Sequence, residues 1–153
     1  MNPPAPAIEI VEHQDAVTLG EFPKLLETAA PEALVEAWEA RCSEDVPLAT
    51  LEALDVALVD DGAIAAVHKD FLGDSLPTDV ITFDHGEILV GVETAVEQAA
   101  DHGEPLWREL LRYFVHGLLH LAGHDDHEDE ARQRMHGEQE KIVARIWERY
   151  FEG

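Results

Sequence analysis

Polar and apolar residues alternate at "IEIVE", residues 8–12, and this period of two predicts a short strand behind a proline-rich start (Pro3, Pro4, Pro6). Residues 1–7 therefore read as a flexible end and 8–153 as one folded domain. The period lengthens at "PEALVEAWEARC", where Pro31 stands at an expected helix start and Leu34, Val35 and Trp38 recur at helical spacing. "LEALDVALVD" (51–60) predicts a strand, and "DDGAIAAVHKDFLG" a helix capped by Asp60 or Asp61 and closed by Gly73. "DVITFD", rich in β-branched residues, predicts a second buried strand, turning at His85-Gly86 into "EILVGV". Three helical segments follow: "ETAVEQAADHG", "PLWRELLRYFVHGLLHLAG" and a final covering helix with Met135, Ile142, Val143, Ile146 and Tyr150 in one stripe. Strands and helices in this order imply an α+β domain, a small mixed sheet packed with several helices.

The helix from Leu106 to Ala122 is the most apolar element. Leu110, Leu111, Phe114, Val115, Leu118, Leu119, Leu121 and Ala122 fill about half its circumference, as expected of a helix packed deep in the core. The remaining stripe carries Glu109, Arg112, Tyr113, His116, His120 and Gly123. His116 and His120, four apart, project from one face a single turn apart, so two imidazoles can share one cation. Gly123 suits a left-handed stop, after which His124, Asp125, Asp126 and His127 are free to swing back toward the histidine face. A third ligand from that turn would complete a three-ligand centre with a position left for water. The isolated histidines His13, His85, His102 and His136 read as hydrogen-bonded core residues. Asp125, Glu128 and Asp129 read as a solvated helix start.

Composition narrows the setting. One cysteine, Cys42, excludes an internal disulfide and suits a reducing, cytoplasmic location. No signal-peptide pattern and no membrane-length apolar run are evident, so no membrane partner is expected. The net charge of -23, from 33 acidic against 10 basic residues, is spread along the chain, as in proteins adapted to high salt. An apolar share of 46% excludes wholesale disorder.

At "HGLLHLAGHDDH" (116–127) and "LPTDVITF" (76–83) the chain resembles the YbeY family of bacterial endoribonucleases, whose signature runs roughly H-G-x-L-H-L-x-G-[YH]-D-H. The resemblance extends from about Ile8 to the last helix. It implies a zincin-like metal site on the central buried helix and one divalent ion, zinc in the first instance. It also implies cleavage of single-stranded RNA in 16S rRNA 3′-end maturation and ribosome quality control, with rRNA, the small subunit and its proteins as partners. Carried over by register, the metal ligands are His116, His120 and Asp126, with His127 the runner-up for the third place. His116 and His124 are the candidate catalytic residues, His124 as a proton shuttle. Thr78 and Asp79 either line the cleft or cap the turn.

The chain departs from the family pattern in three places. Asp126 stands where the family has a third histidine, and a carboxylate there lowers the charge of the centre and makes its water less acidic. Leu72, behind Phe71, replaces the usual arginine, with Lys69 the nearest cation. Glu87 takes the place of the acidic residue in the Gly-Asp turn. A zinc peptidase of the H-E-x-x-H kind is the first rival, yet Gly117 occupies the position of its general base. A non-enzymatic, ribosome-associated metal protein is the second. With so few basic residues, phosphate contacts fall to Arg41, Lys69, Arg108 and Arg112, if they share a groove.

Overall fold

The computed structural model describes residues 2–72 and 78–152, apart from the side chains of Phe71 and Leu72. The expected stop at Gly73 and the comparison of Leu72 with an arginine lie outside the described residues. Among the described residues, four strands, β1 (Ala7–His13), β2 (Ala53–Val59), β3 (Val80–Phe83) and β4 (Glu87–Gly91), form one sheet in the order β1-β2-β4-β3. β1 and β2 run parallel, as do β2 and β4, while β3 returns antiparallel to β4 with Ile81 opposite Leu89. This is the expected mixed sheet. β3 is its edge, however, and only Ile81 of the strand is buried. The expectation of a second buried strand is corrected accordingly: β-branched residues mark a strand, but not its position in the sheet.

Among the described residues, five helices accompany the sheet: α1 (Phe22–Glu39), α2 (Asp61–Leu72), α3 (Val92–His102), α4 (Leu106–Leu121) and α5 (Asp129–Ile146). A 3-10 turn at Pro47–Thr50 precedes β2, and a π-helical turn at Trp147–Phe151 follows α5. Alternate residues of β2 and β4 separate two apolar layers. Leu54, Val56, Leu58, Ile88 and Val90 pack with α1, α3, α4 and α5, whereas Val59, Leu89 and Ile81 meet Ile64 of α2 on the opposite face. α4 runs through the larger layer, with Phe114, Val115, Leu118, Leu119 and Leu121 wholly buried. Among the described residues, no helix is long and apolar enough to cross a membrane.

α1 begins at Phe22, nine residues before the start expected at Pro31. Pro23 occupies the first turn, while Pro31 lies inside the helix on its exposed side. The carbonyl that loses its partner belongs to Glu27, also exposed, so water can replace the missing bond. An internal proline costs about 3 kcal/mol. Full burial of Phe22 and Leu26, at roughly 1.5–3 kcal/mol each, offsets it. At α2, Asp60 is the cap: its Oδ1 accepts the Ala63 N–H at 2.8 Å.

Candidate active site

α4 delivers its two histidines to the sheet edge because Gly117, between them, lies against β3 and β4. A Cβ there would fall 2.8 Å from Ile88 Cδ1 and 3.1 Å from Thr82 Oγ1. The close approach opens a cleft of about 550 Å³ beside β3. His116 and His120 form one wall, Val80 to Phe83 another, and Asp126 with His127 a third; His68 of α2 and Thr78 complete it. The helix, the following turn and the second motif block therefore meet at one place.

The turn is built as its glycine implies. Gly123 adopts φ +95°, its N–H donates to the His120 carbonyl at 3.0 Å, and the His124 N–H donates to the Leu119 carbonyl at 3.0 Å. These paired bonds satisfy the last helical carbonyls and reverse the chain. The Cys42 N–H, donating to the Ala122 carbonyl at 2.9 Å, ties the end of α4 to the segment after α1.

His116 is half-buried, and its Nδ1 lies 2.9 Å from Gln139 Oε1 on α5. His120 is more exposed, with Nε2 3.7 Å from Asp84 Oδ1 in the β3–β4 turn. Asp126 and His127 are exposed. These donors are of the kinds that bind zinc, and they border a single cleft. As placed, though, no group of three His, Cys, Asp or Glu side chains among the described residues converges closely enough to hold an ion. A third bond requires Asp126 or His127 to turn inward.

His124 stands apart from the cleft. It is buried, and its Nε2 lies 2.8 Å from the Ala40 carbonyl. That bond anchors the turn to the end of α1 and occupies a nitrogen a proton shuttle would need. Asp79 caps its own turn, accepting the Val80 N–H at 2.7 Å, while Thr78 lines the cleft. Glu87 pairs with His85 at 3.1 Å, away from the cleft lining.

Among the described residues, Arg41, Lys69, Arg108 and Arg112 are absent from the cleft lining. Arg41 lies over the Trp38 ring and pairs with Glu44, Arg108 lies over Trp147, and Lys69 is in the last turn of α2. Arg112 is bound by Glu104, Glu109 and Glu140 beside a separate cavity of about 190 Å³. Among the described residues no lysine or arginine lines the cleft. His13, His85, His102 and His136 are all exposed, which overturns their reading as core residues; an isolated histidine carries no periodic signal of burial.

Around Arg112 the carboxylates set the electrostatics. Burial raises the Glu140 carboxyl, but the hydrogen bonds and charge of Arg112 outweigh it and hold the group below its ordinary value. Tyr113 is pushed well above the usual phenol range by burial and by Glu109. Sequence reasoning missed Gln139, Glu140 and Asp84. Gln139 alone left a trace, a polar residue on the apolar stripe of α5.

Residues 23–147 match the protein family described as Endoribonuclease YbeY. Relatives bearing that name include one from Heliobacterium modesticaldum, 33% identical over 146 residues, covering 76% of this chain and 87% of its own. Another, from Carboxydothermus hydrogenoformans, is 33% identical over 102 residues and covers 61% and 71%. One from Rhodopirellula baltica is 41% identical over 90 residues, covering 52% and 46%. The solution structure of a Thermotoga maritima protein superposes with a TM-score of 0.62 at 30% identity, over 92% of this chain and 89% of that one.

Proposed function

Because the chain belongs to the endoribonuclease YbeY family, we propose that it cleaves single-stranded RNA in the cleft between α4 and β3, with one divalent metal ion, zinc in the first instance. Its task in this reading is 16S rRNA 3′-end maturation and ribosome quality control in the cytoplasm, in contact with the small subunit. The observation that carries the proposal is the meeting of His116, His120, Asp126 and His127 around one cleft. His116 and His120 would hold the ion, with Asp126 the third ligand and His127 its competitor. When bound, the ion supplies a water of lowered pKa and polarises a phosphoryl oxygen.

The residues of the chain have separate tasks. Gln139 orients His116. The buried His124 fixes the turn that presents Asp126. Thr78 and Thr82 offer hydroxyls to the lining, and the apolar side chains of β3 keep bulk water from one wall. Peptide hydrolysis by the H-E-x-x-H route is disfavoured, because a side chain at Gly117 would collide with Ile88.

Elemental analysis beside digestion of single-stranded RNA tests the reading, using wild type, His116→Ala, His120→Ala, Asp126→Ala and His127→Ala. The expected result is about one metal per chain. Both histidine variants should remain folded while losing activity beyond the roughly 10- to 100-fold typical for a partner behind a ligand. Asp126→Ala should weaken retention more than His127→Ala. Undiminished cleavage by His116→Ala, or activity on peptides alone, would overturn the proposal.

A further inference from the structure

Gln139 is 7% exposed on an otherwise apolar stripe of α5, between Met135 and Ile142. A buried amide there is costly unless its bonds are made, and both of its ends have partners. The chemistry of those partners fixes each proton in turn. A guanidinium only donates, and Arg112 donates to Glu140 through Nε at 2.8 Å and Nη2 at 3.1 Å. Glu140 is therefore an ionised acceptor. Its Oε2 lies 3.1 Å from one end of the Gln139 amide, which must then be the NH2 end. The other end, Oε1, can only accept, so the His116 Nδ1 at 2.9 Å must carry the hydrogen.

We propose that Gln139 is a positioning residue: through the relay Arg112–Glu140–Gln139–His116 it holds the imidazole in its Nδ1–H form and leaves Nε2 unprotonated, ready to donate its lone pair toward a metal. The relay is anchored where Arg112 also binds Glu104, ahead of α4, and Glu109 on α4 itself. It thus joins α4 to α5 and stops at a side chain lining the cleft. Its consequence for metal binding rests on the metal-dependent reading above; the assignment of the tautomer does not.

Long-range proton–nitrogen NMR of the metal-free protein near pH 8, with His116→Ala used for assignment, reads the tautomer directly. Wild type should show Nδ1–H. Gln139→Leu, close in size but without an acceptor, should lose that preference, and Gln139→Glu should restore it. Glu140→Gln leaves Gln139 in place but frees its amide to flip, and should give mixed tautomers, which a purely space-filling role for Gln139 would not produce. Zinc affinity, measured by competition with a chromophoric chelator, should fall about 10- to 100-fold in Gln139→Leu and recover in Gln139→Glu. Nε2–H in the wild type, or an unchanged tautomer in both Gln139→Leu and Glu140→Gln, would overturn the assignment. Nδ1–H in a wild type that binds no zinc would support the relay and defeat the zinc reading instead.

Discussion

Replacing Gly117 by alanine tests whether the approach of α4 to the sheet is set by that one missing methyl. The new Cβ would lie 2.8 Å from Ile88 Cδ1 and 2.9 Å from Cγ2, against ordinary carbon contacts of about 3.5–4.0 Å. The overlap is thus roughly 0.6 Å or more on two atoms of one wholly buried side chain. Isoleucine is stiff at χ1, so Cγ2 cannot turn aside cheaply. Overpacking of this kind costs about 1–3 kcal/mol, while alanine gains about 1 kcal/mol over glycine inside a helix. The net loss should reach up to about 2 kcal/mol. In an Ile88→Ala background, itself costing about 2–5 kcal/mol, both contacts with Ile88 are gone and only the 3.1 Å approach to Thr82 Oγ1 remains, so Gly117→Ala should instead stabilise by up to about 1 kcal/mol. Urea denaturation of the four proteins, followed by far-ultraviolet circular dichroism, closes the double-mutant cycle. A reversal of sign is expected. Equal effects in both backgrounds, within about 0.5 kcal/mol, would show that contact with Ile88 is not what excludes a side chain.

Arg112→Met should destabilise by about 3–5 kcal/mol near neutral pH, because Glu109, 4% exposed, is left beside Glu104 and Glu140 without a cation. The folded pKa of Glu140 lies below its ordinary 4.5, so its pairing contributes fully above that value and is lost as pH falls through the folded pKa. The gap between variant and wild-type urea midpoints should therefore narrow on acidification, and a widening gap would refute the assignment. Gly123→Ala forces a left-handed backbone on a residue whose Cβ would meet Val46 Cγ1 at 2.8 Å; a loss of at least about 2 kcal/mol is expected in the same assay. Single-stranded RNA binding should depend weakly on potassium chloride, since single strands lose about 0.7 log unit of affinity per phosphate contact for each tenfold rise in salt and the cleft lining has no lysine or arginine among the described residues. A log–log slope shallower than about -2 is expected, and one steeper than about -4 would point to a basic surface elsewhere.

Periodicity located the elements because burial is periodic, and the apolar arc of α4 is buried throughout, although Glu109 and Tyr113 of the remaining stripe are buried as well. The start of α1 was not legible in this way. A proline reads locally as a beginning, whereas Phe22 and Leu26 extend the helix backward through packing that no local rule contains. The role of β3 as an edge was hidden for a related reason, since strand order is a property of the whole sheet. At the site, His116, His120 and the glycine stop follow from spacing alone. Gln139 and Asp84 come from distant parts of the chain, and only the folded arrangement brings them to the two histidines.

The turn after α4 is moored at both ends. His124 is held through its ring to Ala40 and through its N–H to Leu119, and the Arg132 N–H is bonded to the Glu128 carbonyl at 2.8 Å as α5 begins. Only the four residues Asp125 to Glu128 span the gap, and the Asp125 carboxylate already accepts the His127 N–H at 3.0 Å. So short a tether leaves little slack for backbone excursion. If the proposed metal site holds, Asp126 and His127 would compete for it by rotating side chains about this short span, and the choice of third ligand would become a local swivel between two neighbours.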